Sequence, residues 1–243
     1  MSNKKPIVYK LDALDDIKIL SEDEIHIWLL DIEQENVCVS LNELYSILNI
    51  EEKERLARYK FDDHKKRFLY SRGILKLLLS NYLGTKAKDV LITYNDRGKP
   101  LIGVNVNVDN INFNLSHSQE LITFAFTLGN SIGVDMEYID KTRNITSIAK
   151  KFFSQRECNY LNRFTDHLQC KLFYIFWTFK EALLKCIGTG LVADFKNISI
   201  PILEQENFEL EKDMKGVWEC FGKLWQYNVL EVRNEYIINV VCG

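Results

Sequence analysis

The chain has 243 residues, 47% of them hydrophobic and 27% charged, with a net charge of −3. That length and apolar content build a real core and exclude a disordered chain, and the slight acidic excess excludes a charge-driven nucleic-acid binder. No run approaches the roughly 18 apolar residues that span a bilayer, residues 1–16 hold no secretory apolar segment, and six scattered cysteines show no CxxC pair. The expectation is a soluble cytoplasmic protein without nucleic-acid or membrane partners.

Taken in chain order, residues 24–30 alternate and then run apolar, which predicts a strand. Residues 41–48 and 51–58 predict short helices. A longer helix is predicted over 62–82, with Phe68, Leu69, Leu75, Leu78 and Leu79 at helical spacing, Asp62 as N-cap and Gly84 just beyond its end. Asn95-Asp96-Arg97-Gly98-Lys99-Pro100 has the composition of a turn. Strands follow over 111–115 and 121–126, a turn at Gly129-Asn130, and a third strand over 131–137. Helices are predicted over 147–153, 154–163 and 172–187, the last ending at Gly188, and strands with turns over 198–241. The order resembles two similar halves, with residues 68–75 and 176–183 in comparable places.

Four constellations carry chemistry. In Gly133-Val134-Asp135-Met136-Glu137, the i and i+2 carboxylates project to one side of a strand and repel unless a cation lies between them. Mg²⁺ takes one or two carboxylates together with substrate phosphates; a solvated strand end is the other reading of this pair. Trp177, Glu181 and Lys185 stand at i, i+4 and i+8 on one helix face. The same spacing suits an ordinary surface ion pair, but Trp177 and Phe173 are poor surface residues, and the helix runs into Gly188-Thr189-Gly190. Asn114-Leu115-Ser116-His117-Ser118 follows a strand and enters a turn, where hydroxyls, an imidazole and free amides suit phosphate. Gly98-Lys99-Pro100 presents a lysine on a rigid turn. Ser116 and His117 are neighbours whose side chains point apart on a strand, and no GxSxG elbow is present, which disfavours a serine hydrolase. His167 and Cys170 alone do not make a metal site.

In order and spacing these segments resemble the large, Sfp-type 4′-phosphopantetheinyl transferases. The resemblance is carried by Gly98-Lys99-Pro100, residues 113–118, Gly133-Val134-Asp135-Met136-Glu137, residues 152–157 and residues 177–185 with Gly188, Gly190 and Leu191, and it is clear over about residues 50–200. It implies an α+β fold of two similar halves about a pseudo-twofold axis, here residues 1–112 and 113–243, the second carrying the metal site, with coenzyme A in the cleft between them. It implies transfer of the 4′-phosphopantetheine arm of coenzyme A to a serine of an apo acyl or peptidyl carrier protein, with loss of 3′,5′-ADP. Asp135, Glu137 and Glu181 are then the Mg²⁺ ligands; Glu181, Lys185 and His117 the catalytic residues; and Lys99, Pro100, Ser116, His117, Lys185, Arg67 and Arg72 the coenzyme A contacts. Glu181 deprotonates the carrier serine directly or through a metal-bound water. Met136 stands where the family often has a β-branched residue, and the basic residues before position 70 match loosely. Lys150 and Lys151 are candidate contacts for an acidic carrier. The chain is twice the length of the small trimeric synthases of the same reaction, and two halves in one chain make a monomer sufficient.

Overall fold

The structure, a computed structural model, describes residues 4–11, 19–34, 39–103, 110–189, 195–201 and 213–243. Strands β1 (Lys5–Lys10) and β2 (Glu24–Asp31) open the chain, followed by helices α1 (Leu41–Ser46), α2 (Ile50–Ala57) and α3 (Asp62–Tyr82). A small hairpin, β3 (Ile92–Tyr94) and β4 (Pro100–Ile102), precedes β5 (Ile111–Ser118), β6 (Leu121–Leu128) and β7 (Ile132–Tyr138). Helices α4 (Ile145–Phe152), α5 (Gln155–Leu161) and α6 (Asp166–Ile187) lead to β8 (Asp213–Cys220), β9 (Lys223–Val232) and β10 (Tyr236–Cys242). No described helix is long and apolar enough to cross a membrane.

The short helices begin where the sequence caps them. Ser40 with Glu43, Asn49 with Glu52 and Ser154 with Glu157 each form a reciprocal capping box that satisfies free amides of the first turn. The strands form two four-stranded sheets, ordered β1-β2-β6-β5 and β7-β10-β9-β8, with β1 parallel to β2 and the other pairs antiparallel. Helix α3 covers the outer face of the first sheet, packing Tyr70, Ile74 and Leu78 against Trp28, Phe113 and Phe126. Helix α6 covers the second, packing Phe173, Phe179 and Leu183 against Tyr227, Ile237 and Val241. The inner faces meet in a third core, where Ile25, Ile27 and Ala125 lie against Val134, Met136, Ile238 and Val240. The result is an α+β molecule of two halves, each a sheet with one long helix on its outer face.

The structure departs from the sequence reading in particular places. The expected division at residues 112 and 113 cuts through β5, which pairs with β6 in the first sheet; the change of sheet falls between Leu128 and Ile132. Phe61, not Asp62, is the N-cap of α3, and Asp62 is its first helical residue. Residues 114–118 belong to a strand, because β6 pairs with every residue up to Ser118. Helix α6 starts at Asp166, six residues before the apolar period becomes visible, because its first turn is largely exposed. Strands β1, β3 and β4 are short edge pieces with weak patterns and were not foreseen. Cys38, Gly190, Leu191 and residues 202–212 of the predicted C-terminal strands lie outside the described residues.

Candidate active site

Strand β7 is an edge strand, and its chemistry follows from its two faces. Val134 and Met136 are fully buried in the core between the sheets, which turns Gly133, Asp135 and Glu137 toward α6. Gly133 makes that contact: a Cβ there would lie 2.0 Å from the carbonyl oxygen of Ala182 and 2.3 Å from the amide nitrogen of Cys186. With no side chain, the strand and the helix backbones meet directly. Asp135 is thereby set under the face of α6 that carries Glu181 and Lys185.

Lys185 Nζ donates to Asp135 Oδ1 at 2.7 Å, to Ser116 Oγ at 3.1 Å and to the Val134 carbonyl at 3.2 Å. Ser116 Oγ donates to the same Asp135 oxygen at 2.9 Å. Asp135 and Glu181 are both buried, and Asp135 Oδ2 and Glu181 Oε1 have no hydrogen-bond partner in the structure. Burial, then the charge of Asp135, pushes the Glu181 carboxyl up to about 7. Burial and Asp135 likewise raise Glu137, against the hydrogen bond donated by Ser118 Oγ at 3.2 Å. Three carboxyls and one ammonium thus share a partly dry site, and the surplus negative charge remains uncompensated.

Strand β5 supplies the facing wall. Asn114, Ser116 and Ser118 alternate on one face, and all three reach β7: the Val134 amide donates to Asn114 Oδ1 at 3.0 Å and the Tyr138 amide to Ser118 Oγ at 3.0 Å. Small polar side chains therefore pair with the open edge of β7 and join the two sheets. Asn114 and Ser118 thus hold β7 in place, a role signalled in the sequence only by their two-residue alternation with Ser116. His117 projects from the opposite face of β5. Desolvation, Arg67 and Lys185 all lower its pKa. Ser116 and His117 therefore form no nucleophile–base pair.

Beside this cluster lies a cavity of about 260 Å³, lined by residues 97–100 of the hairpin, by Asn114 and Leu115 and by Glu181, Leu184, Lys185 and Gly188. The structure thus brings Ser116, Asp135, Glu181 and Lys185 together and sets Lys99 and Pro100 on the same cavity. Lys99 Nζ donates to the carbonyls of Ile132 and Cys186, both at 3.0 Å. Arg67 donates to the Gln119 carbonyl at 3.1 Å, on the His117 side of β5. Arg72 is not brought to the site: it is 8% exposed, pairs with Glu52 and donates to the Tyr94 hydroxyl, in a buried network with Lys76 at the α2–α3 contact. Lys180, one residue before Glu181, is fully buried and pairs with Glu157 at 2.9 Å.

Among the described residues, no three His, Cys, Asp or Glu side chains are gathered so as to hold a metal ion by themselves. The donor set nevertheless fits a hard cation. It is all carboxylate oxygen, and two of its buried oxygens lack a partner.

Residues 131–241 match the 4′-phosphopantetheinyl transferase superfamily, and residues 37–128 match the family described as 4′-phosphopantetheinyl transferase, N-terminal. The chain is 37% identical over 192 residues to the 4′-phosphopantetheinyl transferase HetI of a Nostoc species, covering 79% of this chain and 80% of that one. It is 28% identical over 167 residues to the 4′-phosphopantetheinyl transferase Sfp of Bacillus subtilis, covering 68% and 71%. It is 22% identical over 203 residues to the L-aminoadipate-semialdehyde dehydrogenase-phosphopantetheinyl transferase of Xenopus laevis, covering 79% and 67%.

Proposed function

Because the chain belongs to the 4′-phosphopantetheinyl transferase superfamily, whose members move the phosphopantetheine of coenzyme A to carrier proteins, we propose that it performs this transfer with Mg²⁺ at the cluster of Asp135, Glu137, Glu181, Ser116 and Lys185. The observation that carries the assignment is the pair of buried, unpartnered carboxylate oxygens of Asp135 and Glu181 beside Lys185, at the mouth of a cavity between the two halves.

In this reading Asp135, Glu137 and Glu181 hold the cation, which supplies charge neutralisation at phosphate oxygens when bound. Lys185 and Ser116 donate to the pyrophosphate of coenzyme A. His117 and Arg67, on the other face of the same edge strand, hold a second phosphate, while Lys99 and Pro100 border the nucleotide. The carrier serine oxygen forms a bond to the β-phosphorus as the bond from that phosphorus to the bridging oxygen breaks, and 3′,5′-ADP leaves. The serine proton goes to Glu181, directly or through water. Such a displacement depends on alignment and charge stabilisation more than on a covalent enzyme intermediate. We read the protein as a cytoplasmic monomer; the free thiols of Cys158, Cys170, Cys186, Cys220 and Cys242 agree with a reducing compartment. The carrier, acyl or peptidyl, meets the site beside α4, where Lys150 and Lys151 are exposed.

The test is the intact mass of an apo carrier protein incubated with this protein, coenzyme A and Mg²⁺, with and without EDTA. The expected result is a gain of one phosphopantetheine that EDTA abolishes. A gain that persists in EDTA would remove the metal assignment, and no gain with any class of carrier, despite measurable coenzyme A binding, would leave a protein that binds coenzyme A without transferring it.

A further inference from the structure

Helix α6 carries both Glu181 and Lys185, so its placement against β7 decides the geometry of the cluster. Its C-terminal end raises a specific problem: the last carbonyls of a helix lack partners within the helix. Gly188, in the left-handed conformation at φ 80°, donates its amide to the Leu184 carbonyl at 2.8 Å. Two further carbonyls of this end, those of Cys186 and Gly188, accept from the other half of the molecule. Lys99 Nζ donates to the Cys186 carbonyl and to the carbonyl of Ile132, the first residue of β7. Asn95 Nδ2 donates to the Gly188 carbonyl at 3.3 Å. Asn95 is itself fixed, since its Oδ1 accepts from the amides of Arg97 at 3.0 Å and Lys99 at 2.8 Å. The fit is close: a Cβ on Gly188 would stand 3.1 Å from Asn95 Nδ2 and 3.4 Å from Lys99 Cδ.

One ammonium therefore joins the end of the helix to the start of the strand, and the turn that carries it is built around the side-chain amide that holds the Gly188 carbonyl. A cation at this end also meets the negative pole of the helix dipole. We propose that the β3–β4 hairpin is a capping clamp, and that Asn95 and Lys99 are positioning residues that fix the last turn of α6, and with it Lys185, over Asp135. This gives Lys99 a role distinct from phosphate binding, and it rests on the placement of the transfer site at the Asp135–Glu181–Lys185 cluster.

The experiment is steady-state transfer by Lys99→Met, Lys99→Arg and Asn95→Ala, with coenzyme A and with 3′-dephospho-coenzyme A, and Glu181→Gln in parallel. The clamp predicts that Lys99→Met lowers kcat by about ten- to a hundredfold with both substrates alike and leaves KM for coenzyme A within about twofold, since displacement of a reacting group by a fraction of an ångström acts on the aligned complex. Lys99→Arg, which keeps a charged donor, recovers part of the loss, and Asn95→Ala shows a smaller loss of the same kind. Hydrogen exchange of the amides at the end of α6 is faster in Lys99→Met than in the parent, a measurement that stands even if turnover is too low to fit. A raised KM for coenzyme A with unchanged kcat would make Lys99 a nucleotide ligand and overturn the clamp, as would unchanged kinetics and exchange. If Glu181→Gln retains full turnover, the site itself is misplaced; if Glu181→Gln is inactive while Lys99→Met and Asn95→Ala are unaffected, the clamp alone fails.

Discussion

Glu181 is 8% exposed, faces Asp135 and leaves one carboxylate oxygen without a partner. Its folded pKa of about 7 lies above the ordinary value of 4.5, so the folded state holds this proton more tightly than the unfolded state does. Stability is then greatest below the unfolded pKa, falls as pH rises toward about 7, and stays reduced above it, by roughly 3 kcal/mol. Glu181→Gln should therefore stabilise the metal-free protein by about that amount at pH 8 and by much less at pH 5, while lowering transfer at least a hundredfold. Urea unfolding at the two pH values tests this; an equal gain at both would exclude the ionised carboxylate as the source. The spacing of Trp177, Glu181 and Lys185 made this helix face legible in the sequence. The surroundings of Lys180 were not legible: its position off that face suggests solvent, yet residues 195–198 fold back and their carbonyls accept from its ammonium. Lys180→Ala, which leaves Glu157 buried and unpaired, should cost about 3–5 kcal/mol of stability. Lys185→Ala should cost less stability and more turnover; comparing melts and rates of the two variants decides it, and wild-type turnover in Lys185→Ala would undo the shared-face argument.

Between elements, the decisive contact is β7 against α6, and it rests on one missing side chain. Gly133→Ala places a methyl about 2.0 Å from the Ala182 carbonyl oxygen, so helix and strand must separate. Overpacking of this kind costs about 1–3 kcal/mol or more, and an ångström of displacement between Asp135 and Lys185 should lower transfer by about a hundredfold. Turnover and thermal unfolding of Gly133→Ala measure both; full activity would mean that the close approach does not set the site. The paired carboxylates of β7 were readable because strand alternation places i and i+2 together whatever the fold. The pins from Asn114 and Ser118 to the β7 backbone were not, because they join strands of different sheets, and local pattern contains no information about which edge meets which. The same reason hid β1 and the capping hairpin: each is short, and its meaning lies in a distant partner. Arg72 shows the converse. A basic residue near the expected phosphate region looked available until α2 folded against α3 and paired it with Glu52.

At the scale of the molecule, the order of strands and long helices only hinted at two similar halves and the family resemblance supplied the α+β fold; neither told where one half ends, since β5 and β6 return to the first sheet before β7 begins the second. The halves are not joined by the cleft alone. Their inner faces share a core that includes Ile25, Ile27, Val134, Met136 and Ile238, all fully buried. Around it, the Gln226 side chain exchanges hydrogen bonds with the backbone of Lys4 at 2.7 and 2.5 Å, and Arg233, in the turn between β9 and β10, pairs with Asp31 of the first sheet at 2.6 Å. A half separated from its neighbour would expose one whole face of its sheet to water, a loss of about 1.5–3 kcal/mol for each large side chain uncovered. Neither half should then persist once the other has unfolded. The expected observation is a single denaturant transition, coincident by far-ultraviolet circular dichroism and by tryptophan fluorescence. Trp28 lies buried in the first half and Trp177, Trp218 and Trp225 belong to the second, so Trp28→Phe and a triple Trp177→Phe, Trp218→Phe, Trp225→Phe variant confine the fluorescence to opposite halves. Coincident midpoints in both variants would show that the transfer site and its supporting halves form and melt as one unit. Midpoints that separate would mean that the inner core is too weak to couple them, and that the cleft can open by unfolding one wall.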